Sequence, residues 1–136
     1  LSANMGAANI TEIEFVTTSF DKSDGGNIDV LVRFNEPVTV TGTPQVSITN
    51  GNQGSGTGRG PHLASYLSGS TTNELTFRFT LGAANAATNE NDVLVIGTNA
   101  TALNSGTIKD TGEGTVATIT NTSAQGTAAG SITVAA

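Results

Sequence analysis

Apolar and polar residues alternate along much of this chain with a period of two residues, not the roughly 3.6 residues of an α-helix. Four apolar side chains of segment 27–34 share one side of an extended chain: Ile28, Val30, Val32 and Phe34. Segment 10–18 alternates in the same way, and its better core face carries Ile13 and Phe15. Both segments are therefore predicted to be half-buried antiparallel strands.

Further short segments of this kind follow, separated by turns rich in Gly, Asn, Asp and Ser: 38–42, 44–49, 62–69, 73–81, 92–97, 101–110, 115–120 and 131–135. Pro37 is expected to break or bend the chain before the first of these. Segment 82–91 lacks an apolar stripe and predicts a loop. About eight strands among these ten segments, spaced by roughly eight to twelve residues, are typical of an all-β, Greek-key β-sandwich.

The composition narrows the possible functions. The 136 residues suit one domain, and only 12% of them are charged. Thr, Ser, Asn and Gly therefore cover the surface, as is common in extracellular and particle-coat β-proteins. Five basic residues against a net charge of −6 argue against nucleic-acid binding. The sequence has neither an apolar run long enough to span a membrane nor a cysteine for disulfides, thiolate catalysis or Cys-type zinc sites.

The stretch GNQGSGTGRGP at 51–61 has the glycine content of a phosphate-binding loop. Such a loop needs a following helix and a Lys-Ser/Thr step, whereas here Pro61, His62 and a predicted strand follow. We therefore expect an exposed hairpin tip and no nucleotide cofactor. His62, the single histidine, has no acidic neighbour in sequence and is expected at the surface of that hairpin rather than in catalysis.

A candidate calcium loop lies in the first turn. Asp21, Asp24 and Asp29 follow the spacing D-x-x-D-G-x-N-x-D and offer the carboxylate oxygens that Ca²⁺ takes. The spacing is not that of an EF-hand loop, and the alternative is that these residues serve turn chemistry. Four further acidic residues of the same ligand type lie in later loops: Glu90, Asp92, Asp110 and Glu113.

Three runs carry a family resemblance: NEPVTVTGTPQVSI at 35–48, ASYLSGSTTNELTFRFTL at 64–81 and ALNSGTIKDTGEG at 102–114. Together they resemble bacterial immunoglobulin-like repeats. Such repeats occur in tandem in surface adhesins and cyanobacterial giant proteins, and related domains occur on tailed-phage virion proteins. The positions that match the repeat pattern are Phe34, Glu36, Pro37, Val38, Thr41, Gly42, Thr43, Pro44, Ala64, Tyr66, Gly69, Ser70, Leu75, Phe77, Phe79, Leu103, Asn104, Gly106, Thr107, Ile108 and Asp110.

The resemblance implies an immunoglobulin-like sandwich of about seven or eight strands over residues 10–120. Residues 1–9 would then form an extended N-terminal arm and residues 121–136 a C-terminal tail with a possible extra strand at 131–135. One departure is that 24-DGGNID-29 stands where the repeats usually have a Gly-Asp pair. A single copy with two flexible ends suggests a subunit that docks onto something else.

A non-enzymatic role is expected, because no nucleophile–base pair, metal constellation or cofactor loop is evident. The first hypothesis is a structural protein of a virion surface, either a bacteriophage capsid decoration subunit or a small tail-associated module. It would form homo-oligomers and bind other subunits by strand addition through four tail residues: Ser131, Ile132, Thr133 and Val134. The alternative is an extracellular bacterial adhesin or filament module, rigidified by calcium.

Overall fold

The computed structural model of the chain describes residues 7–50, 61–84 and 87–135. Strands account for 59% of the structure and helix for 5%, so the regular secondary structure is nearly all β, which confirms the all-β class. Their strands are β1 (Ile10–Phe15), β2 (Phe20–Asp21), β3 (Gly26–Thr41), β4 (Gln45–Asn50), β5 (His62–Ser68), β6 (Thr72–Leu81), β7 (Val93–Ala102), β8 (Thr107–Asp110) and β9 (Ser131–Ala135). One short helix, α1 (Ser123–Ala128), precedes β9.

The strands form one curled, mixed sheet. Its order is β1-β3-β6-β5-β4-β7-β9-β2, and β8 pairs with the second half of β3. The named pairs are antiparallel except β2 with β9, which is parallel. The Phe15 N–H donates to the Ala129 carbonyl at 3.0 Å, so β1 meets the segment that leads into β9.

Alternating side chains of the long strands supply the core. The largest fully buried side chains come from seven strands: Ile13, Ile28, Phe34, Ile48, Leu75, Phe77, Leu94, Ile108 and Ile132. The predicted core face of β1, with Ile13 and Phe15, is confirmed. Ile10 is buried as well, because the register of β1 on β3 shifts between Ile10 and Glu12 and turns that side chain inward.

Pro37 does not end a strand. The segments predicted separately at 27–34 and 38–42 form the single strand β3. Pairing of β3 with β6 is regular up to Arg33, and pairing with β8 begins at Val38. Pro37 lies in the interval between these two ladders, where its missing N–H is not needed, and its carbonyl accepts a hydrogen bond from Thr111 N at 3.0 Å.

The strand predicted at 115–120 is reduced to isolated bridges, from Val116 to Lys109 and from Thr118 to Asn9. The two residues pair with different parts of the chain, so no continuous ladder forms. The segment 101–110 was predicted as one piece and is divided. Its first residues complete β7 and its last form β8, with Asn104 and Ser105 in the left-handed region at φ 50° and 66° between them.

The segment 121–135 was expected to extend as a tail, but it packs as part of the fold. The Thr122 side chain caps α1, and β9 pairs with β7 on one side and β2 on the other. Ile132 and Val134 are 0% and 1% exposed, so the alternation that predicted a strand also gives it an apolar face for the core. Strand addition to a partner through these residues would require β9 to leave this position.

Residues 1–6 of the predicted N-terminal arm lie outside the described residues. The remaining arm residues are held by the fold, since Ala8 is fully buried and Asn9 accepts a hydrogen bond from Asn35 N at 3.0 Å. In the ranges that the structure describes, no helix has the length and apolar character needed to cross a membrane.

Candidate functional site

The three aspartates of the predicted calcium loop do not converge. Asp29 pairs across the sheet with Arg78, whose guanidinium donates to both carboxylate oxygens at 2.8 and 2.9 Å. Asp21 instead accepts from the N–H and hydroxyl of Ser23, and these hydrogen bonds hold the pKa of Asp21 below its ordinary value. The turn-chemistry alternative therefore accounts for Asp21, and a cross-strand ion pair accounts for Asp29.

Over residues 7–50, 61–84 and 87–135, no three acidic or histidine side chains are grouped in a way that could hold a metal ion. A cation site in this part of the chain must therefore take some of its ligands from neutral side chains, from the main chain or from water.

His62 is buried, at 4% exposure, and not at the surface where it was expected. Its ring stacks on Phe79 with 5.0 Å between centroids, and its Nε2 lies 3.3 Å from the side-chain nitrogen of Asn50. The same Asn50 nitrogen donates to Asp92 at 3.0 Å, which links the three polar side chains. Burial lowers the pKa of His62, and the negative charge of Asp92 opposes that shift.

This polar group lies where β4 ends and β5 begins, on either side of the glycine stretch 51–60. That stretch, predicted as a hairpin tip, lies outside the described residues. The flanking strands are antiparallel, with Ile48 opposite His62. The His62 ring contacts an aromatic ring and an amide, neither of which is a nucleophile, so this geometry favours a structural role.

The most unusual polar feature is a buried pair of carboxyl groups, Glu36 of β3 and Asp110 at the end of β8. They are 6% and 2% exposed. Val38 is opposite Asp110 in the β3–β8 register, and Glu36 comes two residues before Val38 on the same inward face of β3. Burial, and then the charge and hydrogen bonding of Asp110, raise the pKa of Glu36, and Glu113 adds a smaller effect of the same sign.

One oxygen of each carboxyl group lacks a partner. Asp110 accepts from Gly112 N through Oδ1 at 2.7 Å, whereas its Oδ2 and the Oε1 of Glu36 are buried without a hydrogen-bond donor among the described residues. Two carboxyl groups can hydrogen-bond to each other only if one carries a proton. The pair therefore needs either a proton or a cation to be stable in this interior.

A groove of about 390 Å³ lies against the outer face of β3 and β8. Its hydroxyl groups come from Thr39, Thr41, Thr107 and Thr111, and Lys109 adds one ammonium group. Thr39 and Thr111 are hydrogen-bonded to each other at 2.9 Å. Such a lining can hydrogen-bond a polar molecule but offers no activated nucleophile.

Sequence reasoning missed the pairing of Glu36 with Asp110, although both residues were noted separately. The signal was present in the alternation. The inward face that runs through Val32 and Phe34 continues to Glu36 and Val38, which places a carboxylate among core residues. A charged residue in an apolar register predicts a buried partner, and the sequence alone does not say which residue that is.

Comparison of the chain with protein-family models, with curated proteins and with solved structures gives no match.

Proposed function

We propose that this chain is a non-enzymatic structural module, an immunoglobulin-like Greek-key sandwich that serves as a spacer in an elongated bacterial surface adhesin or filament. The sequence resemblance to bacterial immunoglobulin-like repeats supports this proposal. The curled sheet and its continuous core suit the same role, because every long strand contributes to one interior.

The observation that carries the proposal is the position of the two ends of the described chain. At one end, Asn35 N donates to the Asn9 carbonyl, next to the Phe34 end of the regular β3–β6 ladder. At the other end, Lys22 N donates to the Ala135 carbonyl at 2.7 Å, beside the turn that leads into Gly26.

Gly26 and Phe34 are separated along β3 by about 26 Å, at about 3.3 Å per residue. The polypeptide therefore enters at one end of the sheet and leaves near the opposite end. This arrangement lets modules follow one another in a line, whereas adjacent ends would fold such a chain back on itself.

A virion-surface subunit is the other candidate, and the two differ in assembly. The virion hypothesis relied on terminal segments that reach over neighbouring subunits. Because residues 121–135 pack within their own chain, this segment does not support the virion hypothesis, and we prefer the spacer role.

The test combines the solution mass of the chain with the dimensions of direct tandem fusions of two and three copies. A spacer should be monomeric by light scattering, and the maximum dimension measured by small-angle X-ray scattering should grow by a constant step for each added copy. A closed homo-oligomer of the single chain would favour the virion subunit and overturn the spacer proposal. Tandem fusions that do not lengthen stepwise would also overturn it.

A further inference from the structure

Glu36 and Asp110 place two carboxyl groups together in the protein interior. An ionised carboxylate in a protein interior is stable only if it is paired, hydrogen-bonded or bound to a cation. The two described arginines are engaged elsewhere, Arg33 with Glu12 and Glu74, and Arg78 with Asp29. The nearest lysine in sequence, Lys109, lies on the exposed face of β8.

A single shared proton would neutralise only one of the two carboxyl groups. The remaining negative charge would stay at a site less than a tenth exposed, and Glu113 adds a further negative charge nearby. The two oxygens without a hydrogen-bond partner, Oε1 of Glu36 and Oδ2 of Asp110, belong to neighbouring inward-facing side chains that interact with each other, so one cation between them would compensate both.

We infer that Glu36 and Asp110 are the side-chain ligands of one calcium ion, bound between β3 and the loop that follows β8. Ca²⁺ suits this site because it takes carboxylate, main-chain carbonyl and water oxygens in irregular geometry. Mg²⁺ is less suitable, because it demands a near-ideal octahedral arrangement. Two carboxylates make a weak site, with an expected dissociation constant of about 10⁻⁴–10⁻³ M, as in other extracellular modules.

The loop that Asp110 begins would be ordered around the ion. Asp110 N donates to the Thr115 carbonyl at 2.7 Å, its carbonyl accepts from Gly114 N at 2.8 Å, and its Oδ1 accepts from Gly112 N. These contacts leave Oδ2 as the oxygen available to the ion. The inference goes beyond the spacer role and is tested on the isolated full chain, so its failure would leave the proposed function standing.

The first measurement is a calcium titration of the wild-type full chain, after treatment with a chelator, followed by amide NMR at constant ionic strength. We expect saturable shifts for one ion per chain, largest at Thr111, Gly112 and Gly114. The largest shifts at Ser23–Gly25 would place calcium at the first turn and overturn the inference. Absence of saturable shifts up to 10 mM would overturn it too, and a shared proton would then hold the pair.

The second measurement compares the melting temperature in about 5 mM CaCl₂ with that in chelator for wild type, Glu36→Gln and Asp110→Asn. A site of the expected affinity should raise the wild-type value by about 4–8 °C. Both substitutions keep the side-chain shape, and both should abolish the rise. The control Glu90→Gln removes an exposed carboxylate from another loop and should keep it. A rise retained in both Glu36→Gln and Asp110→Asn would refute the site.

Discussion

Replacing Ile132 with alanine tests whether β9 belongs to the core of this domain. Ile132 is fully buried and lies opposite Leu94 of β7, which is also fully buried. Truncating a buried isoleucine to alanine costs about 2–5 kcal/mol, because the lost burial adds to the cost of the cavity left behind. Since a domain of this size is stable by only about 5–15 kcal/mol, this one change should remove a large part of the total.

Urea unfolding followed by far-UV circular dichroism is the suitable assay, because the chain has no tryptophan to report by fluorescence. With a denaturant slope of about 2 kcal/mol per M, the midpoint of Ile132→Ala should fall by roughly 1–2.5 M. The matched control is Thr133→Ala, the exposed neighbour on the same strand, which should change the free energy of unfolding by less than about 0.5 kcal/mol. Equal midpoints for the two variants would refute the placement of β9 in the core.

Two further substitutions test the packing of α1 and the buried histidine. Gly126→Ala should destabilise the chain, because the added Cβ would clash with the Ile96 carbonyl oxygen, although alanine in a helix is normally more stable than glycine by about 1 kcal/mol. Thr127→Ala, on the exposed side of the helix, is the control. A raised melting temperature for Gly126→Ala would contradict the close contact. Because burial lowers the pKa of His62, against the opposing charge of Asp92, the folded chain favours the neutral ring, and the free energy of unfolding should fall as the pH decreases below about 6.5. Urea midpoints between pH 7.5 and 5 should show that fall for wild type and a flatter profile for His62→Gln; parallel profiles would mean that the ring is not buried as a neutral group.

The period of the alternation predicted the strands and most of the core, because a side chain's face in a β-strand depends only on local sequence. The partners of each strand depend on distant residues and were not predictable in this way. Phe20 illustrates the limit. It is adjacent to Asp21 of the first turn, but pairing with Val134 makes a short parallel strand and buries the ring.

The candidate site shows the same limit more sharply. The aspartates of the first turn have a spacing that suggests calcium, yet Asp29 forms an ion pair with Arg78, which is 49 residues away in sequence. Glu36 and Asp110 are also far apart in sequence, and only the β3–β8 pairing places them together. Sequence spacing therefore suggested carboxylate ligands at the first turn, whereas the fold decides which carboxylate oxygens lack a hydrogen-bond partner.

Each end of the described chain is hydrogen-bonded to two neighbouring segments, as the proposed spacer role requires. At the entry end, Asn9 bonds to Asn35 while Thr118 N donates to the Ala8 carbonyl at 2.8 Å. At the exit end, the main chain of Val134 forms hydrogen bonds with Asn91 and Asp92, which precede β7, and Val134 also pairs with Phe20 of β2. A pull along the chain would load several hydrogen bonds at once at each end. The proposed calcium ion acts on the entry end in particular, because Asp110 anchors the loop that returns the chain to Thr118.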